Sequence, residues 1–149
     1  MVRHTAAGDR ERWDGPDENR PLTPGGRRTA EGLLTALESY GVRSVSAVFS
    51  SDYARCRQTV EPLAAALGLP VQDEPALREG TPLPQVLDLI GRCENSVLCS
   101  HGDVVSDLVL HLDARGLLCD PPAWPKGCTW VLVLVDGSVT SARYVPPPK

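Results

Sequence analysis

Apolar residues fall into two alternating rhythms along this chain. In GRRTAEGLLTALESYG, Ala30, Leu33, Leu34 and Leu37 recur three or four apart, the spacing of one helical face, and Gly41 is a suitable stop. SVSAVFS (44–50) reads as a short strand. In SDYARCRQTVEPLAAALG a second helical face carries Cys56, Val60, Leu63, Ala64 and Leu67. Ser51 or Asp52 is the candidate N-cap, and Pro62 predicts a kink or a split in that helix. LPVQDEPALREGTPLP reads as loop with a short strand near Val71, and PQVLDLIGR as a short helix. SVLCS (96–100) is a buried strand that runs into DVVSDLVLHLDARG, a further helix. CTWVLVLVDGSVTSARYV closes the pattern as two strands about Asp136-Gly137, a hairpin signal.

Strands that alternate with helices predict an α/β fold of three layers, α/β/α, with a mostly parallel sheet and an antiparallel C-terminal hairpin at one edge. No repeat or linker interrupts the order, so residues 1–149 read as a single domain. Residues 5–25 follow neither rhythm. They are rich in Gly, Pro, Asp and Arg and read as a long loop, of the kind that often carries function.

Composition narrows the classes. A net charge of −4 leaves no general basic field for nucleic acid or an anionic membrane surface. The longest strongly apolar run, WVLVLV (130–135), is far short of the roughly 20 residues that span a bilayer. The polar first residues predict no secretory leader. Five cysteines, an odd number without a CxxC pair, fit a reduced, cytoplasmic setting better than a disulfide scaffold. Of 15 basic residues only Lys126 and Lys149 are lysines, and arginine is the side chain that grips phosphate through two hydrogen bonds.

Ligands of open α/β sheets bind beyond the carboxyl ends of the strands. Three such ends share a chemistry here. One finishes in Arg3-His4; a second, FSSDYAR, puts Arg55 in the first turn of a helix; a third, CSHGD, sets His101 and Gly102 just before another. Glycine admits close approach of backbone, and a helix start offers N–H donors to an anion. Together these ends describe a phosphate pocket. Arg55 is alternatively a helix residue paired with Glu61, and His111 an ordinary helix residue. Trp130 is assigned to packing; Trp13 and Trp124 stay open between core, rim and ligand stack, and Trp13 or Arg10, from the 5–25 loop, is the candidate to stack on a nucleotide. No cysteine has an arginine six residues later, and no GxxxxGK[ST] occurs, so cysteine-phosphatase and P-loop chemistry are excluded. Asp9, His101 and Asp103 could be recruited to a metal, but their spacing does not describe a site.

VRHTAAGDR, RPLTPGGRRTAEGL, VFSSDYARCRQTVEPLAAALG, ALREG and VLCSHGDVV, in that order and over roughly the whole chain, resemble the histidine phosphatase superfamily, also called phosphoglycerate mutase-like. The likeness is to its small branch. That branch includes compact phosphohistidine phosphatases and phosphatase domains fused behind actinobacterial Nudix hydrolases. The resemblance implies the phosphoglycerate mutase-like fold and a metal-independent phosphatase without a cofactor. His4 matches the nucleophile that becomes phosphorylated, Arg3 and Arg55 the phosphoryl clamp, and His101 with Gly102 the rest of the pocket. Glu79 aligns with the general acid that many members carry. A phosphorylated small molecule, a nucleotide or a phosphohistidine protein is the implied substrate. Two departures stand out: Thr5 replaces the motif glycine, and only Met1 and Val2 precede Arg3, which predicts a truncated first strand. They motivate an alternative, a non-catalytic module that binds phosphate or a phosphoprotein. A mutase is a third reading, disfavoured by the short chain.

Overall fold

The structure is a computed structural model of residues 1–149. Six strands form one sheet in the order β3-β2-β4-β1-β5-β6: β1 (Val2–Arg3), β2 (Ala47–Ser50), β3 (Val71–Asp73), β4 (Ser96–Ser100), β5 (Thr129–Val135) and β6 (Ser138–Val145). Pairs β3·β2, β2·β4 and β4·β1 are parallel, while β1·β5 and β5·β6 are antiparallel. The α/β/α architecture with a mostly parallel sheet and a C-terminal hairpin is therefore the one the alternating pattern predicts. Asp136 (φ 51°) and Gly137 (φ 77°) both take the left-handed conformation that a two-residue hairpin turn requires.

The helices divide between the faces. On one side α1 (Pro24–Glu31), α2 (Leu33–Ser39) and α3 (Ala54–Leu67) bury Leu33, Leu37, Val60 and Leu63 against Val2, Val48, Val97 and Cys99. On the other, α4 (Leu83–Arg92) and α5 (Gly102–Ala114) bury Val86, Leu89, Val105 and Leu108 with Leu98 and Trp130. Trp130, assigned to packing, is fully buried, and its Nε1 donates to the Ala123 carbonyl at 2.8 Å. Each large apolar side chain so buried contributes about 1.5–3 kcal/mol, so both faces are cores in their own right.

Three local expectations need correction. The helix expected as one piece over residues 26–41 is two, α1 and α2, joined at Gly32. A Cβ there would stand 2.8 Å from the Pro148 Cβ, so the C-terminal tail packs into the break. Neither Ser51 nor Asp52 caps α3; Tyr53 is its N-cap residue, without a side-chain bond. Pro62 neither splits nor ends α3, which runs unbroken through it. The buried row Cys56, Thr59, Val60, Leu63 and Ala64 holds the helix to the sheet on both sides of the proline, and this packing outweighs the one lost backbone bond.

β1 has two residues yet lies between β4 and β5, near the middle of the sheet. Met1 continues the pairing, with Trp130 N donating to the Met1 carbonyl at 2.9 Å. His4 N donates to the Ser100 carbonyl at 3.0 Å, which fixes the level at which the chain leaves β1. Because β4 separates β2 from β1, the carboxyl ends of these three strands stand side by side, and the candidate site forms there.

Candidate active site

His4 follows β1 and is nearly sealed from water, 7% exposed. Its Nδ1 lies 2.8 Å from the Thr5 carbonyl. A carbonyl only accepts, so Nδ1 carries the proton and Nε2 the free electron pair. Burial, foremost, pushes the His4 pKa down to about 3, and the positive fields of His101, Arg55 and Arg3 add to the shift against the opposing Thr5 bond. The ring is therefore neutral near pH 7. Desolvation is a larger cause of this than the charge of the two arginines.

Thr5 occupies the motif-glycine position without backbone strain. Asn95 and Asp136 are the non-glycine residues with positive φ, and Thr5 is not among them. Its N–H donates to Thr59 Oγ1 at 3.1 Å and its hydroxyl to the Gly26 carbonyl at 2.9 Å. A β-branched residue is thus accommodated, and it ties the loop after β1 to α1 and α3.

His101 follows β4, is 1% exposed, and its ring centroid lies 5.6 Å from that of His4. Tyr53 meets it edge-on, centroids 4.8 Å apart. Gly102 begins α5. A Cβ on Gly102 would stand 2.7 Å from Arg3 Nη2, so the glycine lets the Arg3 guanidinium lie against the start of α5. Arg3 Nη1 donates to the Trp124 carbonyl, and Gly127 N donates to the Arg3 and His4 carbonyls, each at 3.1 Å. The loop before β5 is thereby laced over the first strand end.

Arg55 is fully buried, beneath the open surface. Its partner is not Glu61. Arg55 Nη1 donates to the Asp17 carbonyl at 2.9 Å and Nη2 to Asp17 Oδ2 at 3.0 Å. Burial pushes the Asp17 pKa up, but hydrogen bonds and charge from Arg20 and Arg55 pull it below the usual carboxylate range. Glu79 accepts from Arg10 Nη2 at 3.1 Å and lies 3.7 Å from Arg55 Nη2. The Nε atoms of Arg3 and Arg55 are buried donors with no partner.

Arg3, His4, Glu79 and Gly102 line an open pocket of about 630 Å³ together with Arg10, Arg20, Trp124 and Lys126. Its carboxylates are Glu79, Asp9 and Asp103; the last accepts from Gly80 N at 2.7 Å. No group of three or more His, Cys, Asp or Glu side chains is arranged to hold a metal ion. His111 sits on α5, half-buried and away from this pocket. Trp13 is not a lining residue; its Nε1 donates to the Pro16 carbonyl at 2.9 Å.

Of the site residues read from the sequence, Arg3, His4, Glu79 and Gly102 line this pocket, His101 and Arg55 are buried beside His4 and Glu79, and the stacking candidate Trp13 lies outside it. The sequence reading missed Asp17, Arg20, Ser51 and Lys126. Ser51 drew attention only as a cap, and nothing local in GDRERWDGPDENR marks Asp17 as the partner of an arginine 38 residues on.

Comparison with known proteins settles the family. Residues 1–81 match the model of the histidine phosphatase superfamily, branch 1. The chain belongs to the histidine phosphatase superfamily. A curated relative, an 8-oxo-(d)GTP phosphatase from Mycolicibacterium smegmatis, is 36% identical over 156 residues. The match covers 99% of this chain and 48% of the relative, so the chain spans about half the length of that protein. Among solved structures, the protein histidine phosphatase SixA complexed with tungstate superposes with a TM-score of 0.78 at 22% identity, covering 98% of this chain and 94% of its own. YhfR from Bacillus stearothermophilus gives 0.67 at 17% identity, with 93% and 91% covered. The fold is the one these structures share. No helix is long and apolar enough to cross a membrane.

Proposed function

We propose that this chain is a metal-independent phosphatase that hydrolyses a phosphomonoester or phosphohistidine through a phosphohistidine intermediate on His4. The observation that carries this reading is the His4 ring: buried, neutral, and bonded through Nδ1 to the Thr5 carbonyl so that Nε2 is free to attack.

In the first step the Nε2 electron pair attacks phosphorus. The P–N bond forms as the bond from phosphorus to the leaving atom breaks, and the leaving group takes its proton from water, or from Glu79 when that side chain enters the step protonated. Water then attacks the phosphohistidine, the P–N electron pair returns to His4, and inorganic phosphate leaves. Phosphoryl transfer asks chiefly for positioning and for positive charge around the equatorial oxygens. Arg3, Arg55, His101 and the start of α5 at Gly102 would meet that demand. The unpartnered Nε donors of Arg3 and Arg55 support it, because buried donors without acceptors are uncommon and an entering phosphoryl oxygen would satisfy them. The Asp17 carboxylate holds the Arg55 terminal nitrogens and would share or yield them when a phosphoryl group enters.

Trp124 and Lys126 favour a second, narrower reading. Both line the pocket beside Arg3 and His4, where an indole could stack on a base and an ammonium could meet a further phosphate. The curated relative is named for an oxidised guanine nucleotide. On this reading the chain is the nucleotide phosphatase half of a longer protein of the Nudix-fusion kind.

The test is hydrolysis of p-nitrophenyl phosphate in excess EDTA by the chain and by His4→Ala. The reading predicts turnover that survives EDTA and is lost in the variant. Phosphate or tungstate binding without turnover would favour the non-catalytic module instead. Parallel assays with a phosphohistidine protein and with nucleoside mono-, di- and triphosphates separate the substrate classes.

A further inference from the structure

Ser51 directly follows β2 and is fully buried. Its Oγ lies 2.9 Å from Nε2 of His101. Its remaining bonds decide what that contact is. The Tyr53 N–H approaches Ser51 Oγ at 3.4 Å and can only donate to it. The Ser51 hydroxyl proton has one acceptor within reach, His101 Nε2. If Nε2 carried the ring proton instead, Ser51 would accept twice and its own proton would be buried without a partner, which costs about 1–3 kcal/mol in general. The Cys56 sulfur, 3.5 Å from the same Nε2 and 4.0 Å from Nδ1, is a much weaker donor and acceptor, so it neither displaces the hydroxyl at Nε2 nor holds the Nδ1 proton against a phosphoryl oxygen.

We propose that Ser51 is a positioning residue for the reaction: by donating to Nε2 it fixes His101 as the Nδ1–H tautomer, so that Nδ1 presents its proton to the transferring phosphoryl group. A fixed N–H donor at the second histidine strengthens as charge develops on the phosphoryl oxygens, with no reorganisation at the moment of reaction. Ser51 itself is not among the residues that line the pocket. It acts through His101, whose ring Tyr53 clamps from the side.

This inference rests on the proposed role of the pocket, and its test does not need turnover. Long-range 1H–15N spectra of 15N-histidine protein at pH 8.5, where an ordinary imidazole is neutral, report which ring nitrogen of His101 is protonated. The native chain should show a protonated Nδ1 and a bare Nε2. Ser51→Ala should shift His101 towards the Nε2–H form and lower kcat roughly 10- to 100-fold with little change in KM, the scale expected of a misoriented group. Ser51→Thr, which keeps the hydroxyl, should restore both. Circular dichroism melts establish that the variants fold, and the threonine variant carries the test if alanine does not. A protonated Nε2 in the native chain, or an unchanged tautomer in Ser51→Ala, overturns the proposal. Failure of the phosphohistidine reading would look different: His4→Ala would retain full turnover whatever the His101 tautomer.

Discussion

At the scale of single residues the site depends on what has been done to His4. A surface imidazole is partly charged near neutrality; this one is buried, and its pKa is pushed down to about 3. The acid limb of a kcat/KM profile should therefore follow the substrate phosphate or another group, and stay flat with respect to His4 down to about pH 4. His4→Ala should lower turnover by at least about 10³-fold, because no other side chain offers the nucleophile. Gly102 makes a sharper prediction. Its backbone lies outside the positive-φ region, so alanine is not strained there. The new Cβ, however, would stand 2.7 Å from Arg3 Nη2 and push the guanidinium aside. Gly102→Ala should cost roughly 10- to 100-fold in kcat/KM, by displacement of a positioning cation, while the melting temperature stays close to native. An unchanged kcat/KM would show that Arg3 does not need its place against α5.

Arg55, His101 and Gly102 were legible because they follow short apolar strands that stop, whereas Arg3 and His4, with only Met1 and Val2 before them, were legible through the family resemblance. Ser51, Asp17 and Lys126 were not. Their roles exist only through contacts across the fold, Ser51 with His101 50 residues away and Asp17 with Arg55 38 away. No periodicity encodes such pairs. Thr5, a motif departure in the sequence, takes its place without a positive φ and with hydrogen bonds to Thr59 and Gly26 that its spacing does not announce.

Among the elements, β4, α5 and the hairpin were readable end to end, since period and turn chemistry agree in each. α3 shows where local rules yield. Pro62 removes one bond from the middle of a 14-residue helix, and the buried row beneath it keeps the helix whole. The rule is overruled but its cost persists. Pro62→Ala should therefore raise stability by about 1 kcal/mol, after the unfolded chain's gain in freedom is set against the restored bond. Urea midpoints would measure this, and a lower midpoint in the variant would show that the ring's packing outweighs the missing bond. Gly32 illustrates a different limit. Leucine spacing continues through it, so the pattern predicts one helix, while the structure has two, with the tail residue Pro148 packed against the glycine between them.

For the molecule as a whole, the site is assembled at the expense of acid stability. The His4 pKa falls from 6.5 in the unfolded chain to about 3 in the fold, so between those values the unfolded state binds the extra proton. Stability is fully present above pH 6.5 and is lost as pH falls towards 3, by on the order of 2–3 kcal/mol at pH 4.5 from this group alone. Urea titrations at pH 7 and pH 4.5 should show that loss in the native chain and a smaller one in His4→Ala. Equal losses in both would place the acid sensitivity elsewhere.

The central claim is that the phosphoryl group passes through His4. The most direct measurement is to quench the chain in base during turnover of p-nitrophenyl phosphate, digest it, and locate the modified residue by mass spectrometry. The account predicts an acid-labile, base-stable phosphate on the peptide that contains Arg3 and His4, present in the native chain and absent in His4→Ala. Sustained turnover with no phosphate on His4, or with phosphate on another residue, would contradict it.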